Sequence, residues 1–296
     1  MRRNILAAGI AVAVVATGLA ATGVAVTARS ASAALSDVPA DCRTRTAAYR
    51  TDGQALTYRY ADKKTSTEAM PGDKLGWVPT GIVTFLESGS TGSRMNHSLA
   101  THPTDGTIYH IKRATDTIDG VEKVITHTVT PVKTGFGGTR FITMAWPYLY
   151  RAAGTSLYRY KFSFVDGKPT LSGRATISSR AWDTVNTLDH QRTIGTGATA
   201  VDVLTGTKSN GQLKEWRINY ATTPAVSSKV LKETGWGNFT SLGRGWCDSR
   251  PNGRALMGIT AKGRASVYFD ANETDGLGTD IKGGSLGLVG WTEKAY

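Results

Sequence analysis

Residues 154–164 read Gly-Thr-Ser-Leu-Tyr-Arg-Tyr-Lys-Phe-Ser-Phe, and their alternation decides the fold class. Tyr158, Tyr160, Phe162 and Phe164 share one face of an extended chain while Arg159, Lys161 and Ser163 share the other. That period of two belongs to a half-buried strand, because a helix would scatter the same aromatics around its axis. Trp216, Ile218 and Tyr220 alternate with Glu215, Arg217 and Asn219 in the same way, and Tyr58 and Tyr60 flank Arg59. A turn glycine leads each such strand, and the pair recurs five times: 53–60, 106–111, 154–160, 211–216 and 263–269. The strand-end positions 60, 111, 160, 216 and 269 are separated by 51, 49, 56 and 53 residues, a drift that loops absorb at small entropic cost.

Turn chemistry extends the unit. Asp52-Gly53, Asp105-Gly106 and Asn210-Gly211 are dipeptides that suit the positive φ angles of type I′ turns, and Asp119-Gly120, Asp166-Gly167 and Asp275-Gly276 follow three of the strands and predict a second hairpin per unit. With 34 glycines, 9 prolines and 40% hydrophobic against 20% charged residues, the chain is excluded from the disordered class and from helical bundles. Four short strands in each of five repeats predict an all-β fold, a five-bladed β-propeller of four-stranded antiparallel blades.

The N-terminus is read apart from this unit. Arg2 and Arg3 precede an uncharged Ala/Val/Gly-rich run, Ile5 to Val26, that ends near Ala31-Ser32-Ala33. This is the pattern of a signal peptide over 1–33. Cleavage there leaves 34–296 as a single propeller domain, lowers the net charge from +12 to +9 by removing Arg2, Arg3 and Arg29, and leaves no stable membrane insertion. An uncleaved anchor is the alternative, since the run is long enough to cross a bilayer. Export predicts a secreted, extracellular protein whose only two cysteines, Cys42 and Cys247, form a disulfide that pins the ring where it closes. Two unpaired buried thiols are the other reading.

A second recurrence lies upstream of the hairpins: Gly76-Trp77, Gly135-Phe136, Gly235-Trp236 and Gly290-Trp291, with Ile194-Gly195-Thr196-Gly197 assigned to the corresponding place of the remaining unit. Gly-Trp segments leading to a Leu-Tyr-x-Tyr hairpin, with Trp182 and then Ile194-Gly195-Thr196-Gly197 further on, resemble the tachylectin family of five-bladed propeller lectins over roughly 42–296. The resemblance implies multivalent recognition of N-acetylated amino sugars at equivalent sites between blades, without catalysis. Glycans or cell-surface polysaccharide would be the partners. A sugar needs a flat apolar face with fixed donors and acceptors around it, so Trp77, Trp236 and Trp291 are the candidate platforms and Asn238 and Asp248 the candidate orienting groups. Glycine beside tryptophan serves packing between blades equally well.

Other chemistries are weakly signalled. The five histidines are scattered, His97-x4-His102 lacks the arrangement of a zinc protease, and lone surface positions are the expectation for them, so no metal ligand and no cofactor is predicted. A propeller glycoside hydrolase, with carboxylates drawn from distant blades such as Asp62, Asp183 and Glu233, remains an alternative function. Adhesion of a basic protein to anionic cell-envelope polymer is another. Nucleic acid is not an expected partner, because the alternation at Tyr158-Arg159-Tyr160 puts cations and stacking faces on opposite sides of the strand.

Overall fold

The structure, a computed structural model, describes residues 34–177, 181–289 and 294–296. The predicted signal segment, Gly290 and Trp291 lie outside the described residues. The all-β expectation holds, and among the described residues no helix is long and apolar enough to cross a membrane.

Strands fall into successive groups along the chain. The first comprises β1 (Cys42–Tyr49), β2 (Gln54–Ala61) and β3 (Lys64–Lys74). The second is β4 (Gly81–Ser90), β5 (Ser93–Thr101), β6 (Thr107–Ile118) and β7 (Val121–Thr134). The third is β8 (Thr139–Ala145), β9 (Tyr148–Ala153), β10 (Ser156–Val165) and β11 (Lys168–Ile177). The fourth is β12 (Asp189–Ile194), β13 (Val201–Thr207), β14 (Leu213–Asn219) and β15 (Val226–Lys232). The second, third and fourth groups are each a separate four-stranded antiparallel sheet paired in chain order. The last group, β16 (Phe239–Cys247), β17 (Arg254–Thr260), β18 (Arg264–Asp270) and β19 (Lys282–Leu288), joins the first, and with β20 (Lys294–Ala295) paired to β1 they make one eight-stranded sheet.

That junction is the clasp of the fold. One end of β1 pairs with β16 (Cys42↔Cys247 to Thr44↔Gly245), and the other end pairs with β20 (Ala48↔Ala295, Tyr49↔Lys294). Gly243 and Gly245 permit the approach, since a Cβ at either would stand 2.5 Å from the Arg45 carbonyl oxygen or 1.8 Å from that of Arg43. The Cys42–Cys247 disulfide is present across this register and fits a non-reducing environment. Between the two ladders, Arg45 to Ala47 pair with no strand on that side among the described residues; the Tyr296 N–H donates to the Ala47 carbonyl, and the Thr46 hydroxyl bonds Ser241 Oγ and the Tyr296 carbonyl.

Apolar faces pack group against group. Five buried clusters lie between successive groups: Tyr49, Leu75 and Ile111 between first and second; Leu99, Phe136 and Phe162 between second and third; Tyr150, Trp182 and Trp216 between third and fourth; Leu213, Trp236 and Leu256 between fourth and fifth; Tyr58, Cys247 and Met257 between fifth and first. Each sheet thus packs against a neighbouring group on both of its faces.

The turn motifs have a more specific use than expected. Asp119-Gly120 and Asp166-Gly167 are two-residue hairpin loops with positive φ at both positions, as type I′ demands, and Asp62-Lys63 is a third. Asp52-Gly53, Asp105-Gly106 and Asn210-Gly211 sit instead in longer loops where only the glycine has positive φ. There the acidic or amide oxygen accepts the N–H two residues on, from Gln54 (3.1 Å), Thr107 (2.7 Å) and Gln212 (3.3 Å). The glycine carbonyl then accepts the N–H of the segment that leaves the same group: Leu75 on Gly53 (2.9 Å), Phe136 on Gly106 (2.7 Å) and Trp236 on Gly211 (2.9 Å).

Candidate functional site

Those connecting segments carry the Gly-aromatic recurrence, and the structure gives their rings a packing role. Each ring lies against an aromatic in the third strand of the next group: Trp77 on Tyr109 (5.5 Å between centroids), Phe136 on Tyr160 (5.0 Å), Trp182 on Trp216 (5.4 Å) and Trp236 on Tyr268 (4.4 Å). The segment is bonded to one group and its ring is wedged into the next, which fixes the angle between them. Ala181-Trp182 therefore fills the place assigned to Ile194-Gly195-Thr196-Gly197, which is the β12–β13 loop. The alanine hides the match, because it holds φ at 68°, a conformation that normally selects glycine.

As ligand platforms these residues fare differently. Trp236 is 3% exposed and enclosed by Phe239 and Tyr268, so it offers no face to a sugar. Trp77 is half-buried with His102 4.7 Å from its ring. Asn238 is exposed just before β16, whereas Asp248 lies past the other end of that strand, about 30 Å away at strand rise, paired with Arg43 at 2.9 Å. Of the described residues in that set, Trp77, Trp236, Asn238 and Asp248 do not form one site. Asp62 is in a hairpin turn, Asp183 in an exposed short helical turn and Glu233 in an exposed connection, so these carboxylates do not converge either.

What converges is the gap beside β1. The first strands of the groups surround a cavity of about 530 Å³ that reaches between the β16 and β20 ladders to Arg45, Thr57 and Asn96. Trp246, 54% exposed, stands on its lining and is the large apolar face that the Gly-aromatic pattern missed. Glu87 on β4 accepts both guanidinium nitrogens of Arg45. Those hydrogen bonds hold its carboxyl below the usual range against the opposing effect of burial. Asn96 presents a buried Oδ1 that accepts no hydrogen bond among the described residues.

The opposite chemistry holds at Asp189, at the start of β12. Burial pushes its carboxyl up to about 6, against the charges of Arg244 and Arg254 and hydrogen bonds from the His190 N–H and the Gln191 amide. Both arginines are engaged elsewhere: Arg244 donates to Glu273 (3.1 Å to each oxygen) and Arg254 to Asp270 (2.8 Å) and Gln191. His190 lies beside Asp189 in the cavity wall, with Nε2 3.2 Å from Thr193 Oγ1 and 4.0 Å from Asp202. Burial lowers its pKa, with Asp202 pulling the other way. Asp202 is itself fully enclosed and accepts from Tyr150 (2.7 Å), Tyr220 (3.0 Å) and Thr193 (2.8 Å). Deep burial outweighs those three donors and raises its carboxyl.

Histidine placement also departs from expectation. His97 and His110 are not surface groups: they are 4% and 6% exposed, hydrogen-bonded Nδ1 to Nε2 at 2.9 Å, and boxed by Phe85 and Phe164. The register explains the meeting, since His97↔Lys112 and Leu99↔His110 make the two imidazoles diagonal neighbours on one face.

No family model and no curated protein matches the sequence. Among solved structures, the BBS1N–ARL6DN complex is similar with a TM-score of 0.34 and 13% identity, over 80% of this chain and 68% of that one. A Bacteroides fragilis protein described as a 6-phosphogluconolactonase is similar with a TM-score of 0.33 and 11% identity, over 82% of this chain and 66% of that one. Likeness at that level carries no argument about function.

Proposed function

We propose that the chain is an exported five-bladed β-propeller that binds carbohydrate in its central cavity. The five inter-group clusters and the clasp that returns β20 and β16 to β1 support the blade count. The N-terminal pattern together with the disulfide supports export. The observation that carries the ligand reading is an exposed tryptophan on the lining of a polar cavity. Trp246 offers a face for a sugar ring, while Arg45, Glu87, Asn96 and Asp189 offer fixed donors and acceptors. N-acetylated amino sugars, the class the tachylectin resemblance implies, suit the cavity because the unfilled Asn96 Oδ1 can take an acetamido N–H. One cavity replaces the several equivalent loop sites of that resemblance, because the described loop aromatics are used in packing.

Titration with chitohexaose, followed by calorimetry in 0.5 M salt, tests the reading. Trp246→Ala should weaken binding about tenfold, the worth of one aromatic stacking contact, without lowering Tm. Equal affinity in the variant, or binding abolished by salt alone, would remove it.

A further inference from the structure

We propose that a further cavity, between the fourth group and the loop that joins β18 to β19, binds a hydroxylated carboxylate of the sugar-acid type; it is separate from the central cavity and does not depend on the carbohydrate reading above. The register builds its floor. Glu215 and Arg217 on β14 stand opposite Lys229 and Ser227 on β15, so all four project from one face of the sheet. The loop supplies the roof. Gly278 lies so close to β15 that a Cβ there would stand 1.8 Å from the Leu231 carbonyl oxygen, and Arg192 donates to the Glu273 and Thr274 carbonyls. Gly276 is thereby held against the floor: a Cβ built on it would lie 3.5 Å from Arg217 Nη2, 3.7 Å from Glu215 Oε1 and 3.9 Å from Lys229 Cδ. Three polar side chains thus surround one point, on the lining of a cavity of about 340 Å³, a size that suits a small molecule.

The charges gathered there do not cancel. Glu215 is 2% exposed and accepts the Arg217 Nε–H on Oε1 (2.8 Å). Its Oε2 accepts no hydrogen bond among the described residues, with Arg192 Nη2 3.9 Å away. Asp275, the other acid on the lining, accepts the Leu277 N–H (2.6 Å). Lys229 is exposed and ion-pairs with no acid among the described residues. Arg192, Arg217 and Lys229 therefore face only Glu215 and Asp275, an excess of one positive charge that a monoanion balances and a zwitterion or neutral sugar does not. A carboxylate offers two coplanar oxygens to Arg217 and Lys229, beside the Ser227 and Ser228 hydroxyls. The buried acceptor defines the rest of the ligand. An enclosed carboxylate oxygen without a donor costs free energy that a ligand hydroxyl relieves, and Asp275 takes a second hydroxyl. A carboxylate with hydroxyls on the neighbouring carbons satisfies both halves, and uronic and aldonic acids carry that chemistry.

Calorimetric titration of the whole protein with glucuronate, galacturonate and gluconate, beside glucose and acetate, tests the site. At least one sugar acid should bind once per chain, the uronates alone if the ligand is a polysaccharide residue and gluconate as well if it is a free acid. Glucose and acetate, each with half the chemistry, should bind at least about tenfold more weakly. Lys229→Gln, at an exposed position, should weaken sugar-acid binding about tenfold, the worth of one charge-assisted hydrogen bond, without lowering Tm. Gly276→Ala should abolish it in protein of wild-type circular dichroism, because the methyl fills the shared point while every polar group remains. Saturating chitohexaose should leave the sugar-acid isotherm unchanged. Binding that both variants leave intact, or that chitohexaose displaces, would overturn the assignment. Acetate as tight as the sugar acids would show a surface anion contact and overturn it too, as would no sugar-acid binding at all; the central-cavity reading, tested with chitohexaose and Trp246→Ala, stands or falls separately.

Discussion

Acid should loosen the contact between the second and third sheets, because the His97–His110 pair has no way to hold a second proton. Burial lowers the pKa of His110 to about 4, with His97 and Lys112 adding repulsion, and burial and Lys112 lower that of His97 as well. Between pH 6.5 and 4 the unfolded chain binds a proton that folded His110 refuses. Its contribution is therefore fully present above about pH 6.5 and lost as pH falls towards 4. With 6.5 unfolded and about 4 folded, the loss at pH 4.5 is about 2.5 kcal/mol, or 5–10 °C in Tm for a chain of this size. Urea unfolding at pH 7.5 and 4.5 measures it. The comparison is a double variant, His97→Phe with His110→Phe, which suits the Phe85/Phe162/Phe164 surroundings and removes both titrating rings. Overpacking in the variant acts equally at both pH values, and the carboxylates titrate in both proteins, so the difference of differences isolates the pair. An acid loss as large in the variant as in the wild type would refute the reasoning.

Trp236→Ala should cost about 3–5 kcal/mol in denaturant unfolding, because it empties a buried ring site, and should leave oligosaccharide affinity unchanged in the folded fraction. Ala181→Gly should raise stability by about 0.5–1 kcal/mol. Relief of a left-handed alanine at φ 68° exceeds the added entropy of an unfolded glycine, and a lowered Tm would contradict this. Converting both cysteines to serine should cost up to about 5 kcal/mol, the chain-entropy value for a separation of 205 residues, read as a shift in urea midpoint against the oxidised wild type.

Local periodicity made the strands legible. Tyr158 to Phe164 alternate because one face is buried, and that pattern survives in any register, so the all-β class and its four-stranded unit can be read residue by residue. The recurrence of glycine with an aromatic was equally visible, but its use was not. Trp236 meets Tyr268, 32 positions onward and in the next group, and only the packing of sheets reveals which ring fills which notch. At Trp182 the glycine is replaced by Ala181, so a match by composition drifted to Gly195 and Gly197. The cavity was least legible. Glu87, Asp189 and Trp246 come from three groups, each unremarkable in its own strand, and they share one cavity lining through the packing of the groups rather than through spacing. The buried histidine pair escaped for a similar reason, since positions 97 and 110 meet only in the diagonal register of β5 and β6.

The clasp at β1 also bears on the order in which the chain acquires structure during synthesis. The second, third and fourth sheets are each built from one contiguous stretch, so each can form its ladders as soon as its own residues have emerged. The strand that opens the described chain cannot do so on both edges. β1 waits for residues 245–247 to secure one end and for residues 294–295 to secure the other. Until residues 294–295 have emerged, one edge of β1 is incompletely paired, and the molecule is a row of finished sheets with an open seam.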